Sequence, residues 1–207
     1  MQDFCVIKLN KDKFRNFRKN ILGLGTCWSV SLKASDLTVH IPGPEISPAD
    51  TKKLMHKRFD APHGFLYRPE GLFELRGNLT QEEIHTPNNK TPRGNPIRLI
   101  IRRGLTHTTV GGLSGFLSHV RRYSPTGNID SVEVAIHPHN GCGPFFRGGD
   151  SGSVVVDALS RFVALLTGRT GSTNSSDITF GTPMHWIWLQ ILAKFEGAIP
   201  YWDDDDN

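Results

Sequence analysis

The second half of the chain alternates short apolar runs with Gly or polar breaks. From residue 97 onward these are IRLIIRRG, LTHTTVGG, GFLSHVRRY, DSVEVAIH, GSVVVD, RFVALLTG and DITFGTP. Runs of this length, rich in β-branched residues and bounded by turn formers, predict strands. Six or seven in succession predict a small antiparallel barrel or sandwich. The last segment, PMHWIWLQILAKFEGAI, changes period and predicts a helix. Pro183 stands at its start, and Trp186, Leu189 and Ile191 or Leu192 can share one face.

Before residue 96 the pattern is weaker. DFCVIKL at residues 3–9 reads as a strand, and a second strand is expected around 26–32. From residue 36 to 95 periodicity is poor and Pro, Gly and Asn are frequent. SPADTKKLMHKRF is the helical candidate in this region: Ser47 can cap, Pro48 suits the first helical position, and Asp50 sits where a carboxylate closes a capping box. The remainder is expected to be linker and loop. No segment repeats.

Composition narrows the class. With 37% hydrophobic residues, 21% charged, 21 Gly and 13 Pro in 207 residues, the chain is a loop-rich globular domain rather than a disordered chain, a coiled coil or a collagen. No stretch approaches the roughly 18 consecutive apolar residues of a membrane span, so no membrane partner is expected. The start, MQDFCVIKLNKDKF, lacks the basic region and apolar core of an export signal, and an intracellular location is the expectation. Cys5, Cys27 and Cys142 are odd in number and unpaired in spacing, which argues against a disulfide scaffold and a four-cysteine zinc site. Three glycosylation triplets, at Asn78, Asn89 and Asn174, read as coincidence without an export signal.

Charge is uneven within a net +4. Lys8, Lys11, Lys13, Arg15, Arg18 and Lys19 crowd the start, and four aspartates at 203–206 close the chain. Phe14 and Phe17 interleave the basic run, a pattern that can track a nucleic-acid backbone. No recognition signature accompanies it, so a solvated linker is the expected role and nucleic acid is not an expected partner.

The chemistry lies in GPFFRGGDSGSVVVDALSRFVALLTG, residues 143–168. Gly149, Asp150, Ser151 and Gly152, followed by strand, turn and strand, resemble the nucleophile motif of the trypsin-like serine proteases, and most closely fungal proteins with an intracellular trypsin-like domain. The resemblance covers roughly residues 97–195. It implies an all-β protein in which 93–195 form the C-terminal antiparallel barrel of the two-barrel trypsin-like fold with its C-terminal helix. Residues 1–92 would hold a remnant of a mostly missing first barrel and an irregular inter-barrel segment, and 196–207 an acidic tail.

The resemblance also implies roles. Ser151 is the expected nucleophile, and the N–H groups of Gly149 and Ser151 the donors that receive a developing oxyanion. Asp150 is expected as a structural clamp, paired with a chain terminus or another cation. Leu166, Thr167 and Gly168 match the edge on which the family lays an extended peptide. Phe145 and Phe146 would line or floor the pocket for the residue before the scissile bond, with Asp177 on the opposite wall. The Phe pair favours an apolar residue there and Asp177 a basic one. A polypeptide substrate or ligand is the expected partner, with no cofactor.

A serine nucleophile needs an imidazole to take its proton and a carboxylate to orient that imidazole. Asp3, opening the strand DFCVIKL, matches the family's carboxylate, and the family's histidine precedes it. None of the nine histidines, at 40, 56, 63, 85, 107, 119, 137, 139 and 185, does so. The expectation is therefore an N-terminally truncated endopeptidase with negligible hydrolysis, the alternative being a non-catalytic peptide-binding module. His137 and His139 stand two apart on a strand end, but no third ligand is suggested, so no metal is expected.

Overall fold

In a computed structural model of the chain, residues 21–23, 72–88, 99–103, 108–139, 144–170 and 177–198 are described. The expected strands at 3–9 and 26–32, the helix within 47–59, Asp3, the basic run and the aspartates at 203–206 lie outside them.

The β-branched runs of the second half form six strands: β3 Leu99–Arg103, β4 Thr108–Arg122, β5 Ile129–Pro138, β6 Val154–Asp157, β7 Phe162–Thr170 and β8 Ile178–Pro183. All pair antiparallel and close into a barrel in the order β3-β4-β5-β8-β7-β6, with β3 meeting β6 at Ile101 and Val156. A helix follows at Met184–Lys194. The expected antiparallel barrel with a C-terminal helix is thus the observed one. Ahead of it, β1 Ile21–Gly23 and β2 Leu72–Glu74 form a two-stranded pair.

Two sequence expectations need correcting. LTHTTVGG and GFLSHVRRY are parts of one strand, β4, and not two. Its pairing with β5 slips between Leu113 and Leu117, so a bulge absorbs the glycine-rich middle. Gly111 serves close approach here, because a Cβ at that position would lie 2.7 Å from the Phe145 ring and 2.8 Å from the His137 carbonyl. The second correction concerns 72–88, expected as linker and loop. It carries β2 and a short helix α1, Gln81–His85, capped by Thr80 and Glu83 in a reciprocal capping box.

That segment is bound to the barrel. Arg76 N–H donates to Ser160 O (2.9 Å), Leu79 N–H to Phe162 O (2.8 Å) and Phe162 N–H to Gly77 O (3.0 Å). Leu79 and Ile84 join the core built by Leu113, Val134, Ile136, Val155, Val163 and Leu166. Full burial of a side chain such as Ile84 contributes about 1.5–3 kcal/mol, which outweighs the low helix tendency of a five-residue segment.

The C-terminal helix, α2 (Met184–Lys194), turns a different face inward than a common apolar stripe suggests. Ile187 is buried, whereas Trp186, Leu189 and Leu192 lie on the outer side. Among the described residues no helix is long and apolar enough to cross a membrane.

Candidate active site

The connection from β5 to β6 is anchored before it turns. Phe145 and Phe146 are buried in the barrel core, and the Phe145 carbonyl accepts from Thr109 Oγ1 at 3.0 Å. Two aromatic anchors fix where the following residues start.

The next residues fold into a tight double turn. Arg147 N–H donates to Asp150 Oδ2 (2.7 Å), Asp150 N–H returns to Arg147 O (3.0 Å), and Ser153 N–H reaches Asp150 O (3.0 Å). The buried Asp150 carboxylate therefore braces its own loop. Gly149 and Gly152 adopt φ +92° and +81°, values that penalise any side chain, so glycine is needed on both sides of the Asp150–Ser151 pair. Gly152 N–H donates to Leu166 O (2.8 Å) and Leu166 N–H to Ser153 O (3.0 Å), which ties the turn to β7.

This bonding leaves alternate donors over. The N–H groups of Asp150 and Gly152 are engaged, while those of Gly149 and Ser151 have no acceptor among the described residues. Ser151 is exposed, and its hydroxyl has no hydrogen-bond partner among the described residues.

Beside the turn, β7 outruns β6. Their pairing runs from Val156 with Phe162 to Val154 with Leu165, whereas Gly168, Arg169 and Thr170 pair with Phe180, Thr179 and Ile178 of β8. Among the described residues, the other edge of 167–170 is unpaired. A bulge falls between Leu166 and Gly168 and re-aims Thr167. Leu166 is buried in the core; Thr167 Oγ1 donates its single hydrogen to Glu133 Oε2 and stands 3.2 Å from Phe180 O.

Asp177, just before β8, is buried, and neither carboxylate oxygen has a hydrogen-bond partner among the described residues. Arg169 Nη1 stands 3.7 Å from Oδ2, too long for a hydrogen bond. Burial pushes this carboxyl up, and the nearby guanidinium opposes that rise without cancelling it.

None of the described histidines hydrogen-bonds to Ser151. His85 Nδ1 is 2.8 Å from Gly115 O. On α2, burial lowers the pKa of His185 against the raising effects of the Leu79 backbone and Glu82. His137 lies near the end of β5 and His139 just beyond it, and no cluster of three His, Cys, Asp or Glu side chains occurs among the described residues. Asp3 lies outside the described residues, so the site brings together Gly149, Asp150, Ser151 and Leu166 to Gly168 but not a triad.

Sequence reasoning missed Glu133. It is buried, accepting from Ser131 Oγ (2.6 Å), Thr167 Oγ1 and Arg122 Nη2 (3.3 Å). The signal was present as one carboxylate flanked by valines in DSVEVAIH, but strand alternation reads such a residue as facing solvent.

No family model and no curated protein matches the chain. Among solved structures it is similar to a chymotrypsin from Cellulomonas bogoriensis, at 18% identity and a TM-score of 0.39, over 58% of this chain and 54% of that one. The chain spans about half the length of that chymotrypsin.

Proposed function

We propose that the chain is a serine-endopeptidase-like domain of the trypsin-like class that contributes the nucleophile and the oxyanion donors and receives an extended polypeptide along β7. The observation that carries this reading is the alternation of engaged and unengaged N–H groups across residues 149–152. Two donors separated by one residue on a tight turn can converge on a single oxygen about 3 Å away, with the serine hydroxyl beside it. The open edge of 167–170 begins where Leu166 bonds to that same turn. A peptide added there extends the sheet past the nucleophile.

In this reading, Ser151 Oγ attacks the scissile carbonyl carbon, and the carbonyl oxygen gathers charge against the N–H groups of Gly149 and Ser151. The hydroxyl proton must pass to a base. Asp3 is the proposed carboxylate that would orient an imidazole, and no described imidazole bonds to Ser151. In subtilisin, loss of the corresponding histidine costs about a millionfold in kcat, so peptide hydrolysis by this chain is expected to be negligible. That no described imidazole bonds to Ser151 favours a second reading, a non-catalytic module that holds the peptide.

The test supplies a base from solution. A fluorophosphonate should label Ser151 slowly in buffer and faster as imidazole is added: Oγ bonds to phosphorus, fluoride leaves, and imidazole takes the proton. Ser151→Ala should abolish labelling. Labelling that ignores imidazole, or that occurs at other residues, would sink the nucleophile assignment.

A further inference from the structure

We infer that Arg122 makes the open edge of β7 selective for a polypeptide bearing an acidic side chain opposite Gly168. This rests on the reading of 167–170 as the peptide-receiving edge.

Residues directly opposite in paired strands share a face, with their Cβ atoms about 4.5–5.5 Å apart. Gly168 has no side chain of its own on that face. Among the described residues, the space its Cβ would fill meets one group within 4 Å, the Arg122 Nη2 at 3.6 Å. A ligand side chain opposite Gly168 therefore extends toward a guanidinium, with no other described group between them.

Arg122 comes from the end of β4, the strand opposite β7 in the closed barrel, and its guanidinium reaches this place. Glu133 holds it there through the 3.3 Å contact between Oε1 and Nη2. Both oxygens of the Glu133 carboxylate are engaged, one by Ser131 and Arg122 and the other by Thr167. Its side chain is 2% exposed while that of Arg122 is 37% exposed. The negative partner is thus enclosed and the cation faces outward. A guanidinium carries five N–H donors, and apart from the Glu133 contact those of Arg122 have no acceptor among the described residues. A carboxylate can take two of them in parallel, which a neutral amide or an ammonium cannot reproduce.

Glu133 also fixes the bulge at Thr167, so one buried carboxylate positions both the edge and the cation beside it. It is a positioning residue in this scheme. Arg121, next in the chain, is already neutralised by Asp130 through bonds of 2.6 and 2.9 Å and points to the other face of β4, which makes it the matched control.

The test measures fluorescence anisotropy of labelled octapeptides with the full chain. Glu, Gln or Lys is walked through the central positions of a Thr- and Val-rich sequence. One register should bind its Glu peptide about tenfold tighter than the Gln peptide, with Lys weakest. The Glu preference should vanish in Arg122→Gln and persist in Arg121→Gln, which removes the same charge. Because Arg122→Gln leaves Glu133 buried without its cation, the double variant Arg122→Gln with Glu133→Gln provides a folded alternative, and it should also show no preference. Equal binding of Glu and Gln peptides at every register overturns the inference, as does a preference that survives loss of Arg122. If no peptide binds at all, the inference falls as well, and imidazole-promoted labelling then reports separately whether the nucleophile reading stands.

Discussion

Two turns flank β6, and they are built on opposite plans. The turn after it, residues 157–161, is closed by side chains. Asp157 Oδ1 accepts from Leu159 and Arg161 N–H (2.8 and 2.9 Å), and the Asp157 and Ser160 N–H groups are also engaged. The Arg161 guanidinium bridges Asp157 (2.8 Å from Nε) and Glu83 (2.5 Å from Nη1). The turn before it, 147–153, is closed largely by its own backbone and leaves the Gly149 and Ser151 donors unengaged. A turn with its donors and charges matched is a fastening. One that leaves alternate donors free has somewhere to put a negative charge that develops later.

Breaking the fastening should have the largest effect. Arg161→Ala leaves Glu83 and Asp157 as mostly buried carboxylates without their cation, and the expected loss is about 3 kcal/mol, read from the urea midpoint. Labelling of Ser151 in the fraction that remains folded should be little changed. If that labelling collapses as well, the two turns are not independent.

Gly149→Ala probes the other turn. Nothing lies within 4 Å of the new Cβ, but the φ of +92° is strained for it, so the turn must shift and its N–H swing out of line. The expected result is about a 100-fold drop in imidazole-promoted labelling, in line with the removal of one oxyanion donor, with a small change in melting temperature. A normal labelling rate would show that this N–H takes no part.

Thr80→Ala removes the cap of α1, the helix that carries Glu83 to Arg161. About 1 kcal/mol should be lost, without effect on labelling. The smallest effect sought is a pH dependence. Burial keeps His185 below its ordinary pKa of about 6.5, so the unfolded chain takes up its proton first. Stability is therefore intact above pH 6.5 and falls as pH drops through that value. His185→Gln should flatten the urea midpoint between pH 7 and 5. For Glu83, burial works upward, but the Arg161 and Thr80 hydrogen bonds prevail and leave it below its ordinary value. Its contribution persists to lower pH and fades only as pH falls through that depressed value, so the two groups separate on one titration.

The contrast also explains what the sequence could and could not disclose. Strands β5 to β8 are local apolar runs bounded by turns, and their extents follow the pattern closely. The nucleophile turn was legible because its two glycines and its serine must be adjacent. The 72–88 segment was not, although Thr80 and Glu83 spell a capping box, because its hold on the barrel comes from Leu79 and Glu83 meeting residues some eighty positions later and from Ile84 joining the barrel core. The unity of β4 was hidden for a related reason: a glycine that normally breaks a strand is, at 111, the residue that lets Phe145 approach. Arg122 and Glu133 belong to the same class, since side chains on β4, β5 and β7 meet only after the sheet has curled.

The seam that closes the barrel joins β3 to β6, at Ile100 with Asp157 and Arg102 with Val155. Every other strand pairing in the barrel links shorter stretches of chain, so this pairing carries the largest loop-closure cost and belongs late on the folding route. The nucleophile turn runs directly into β6. Its geometry should therefore mature only when the seam shuts, so that a partly folded chain can hold most of its sheet and still lack the oxyanion donors. Quenched-flow labelling during refolding would register this as a lag: the sheet signal appears first, and reactivity at Ser151 follows.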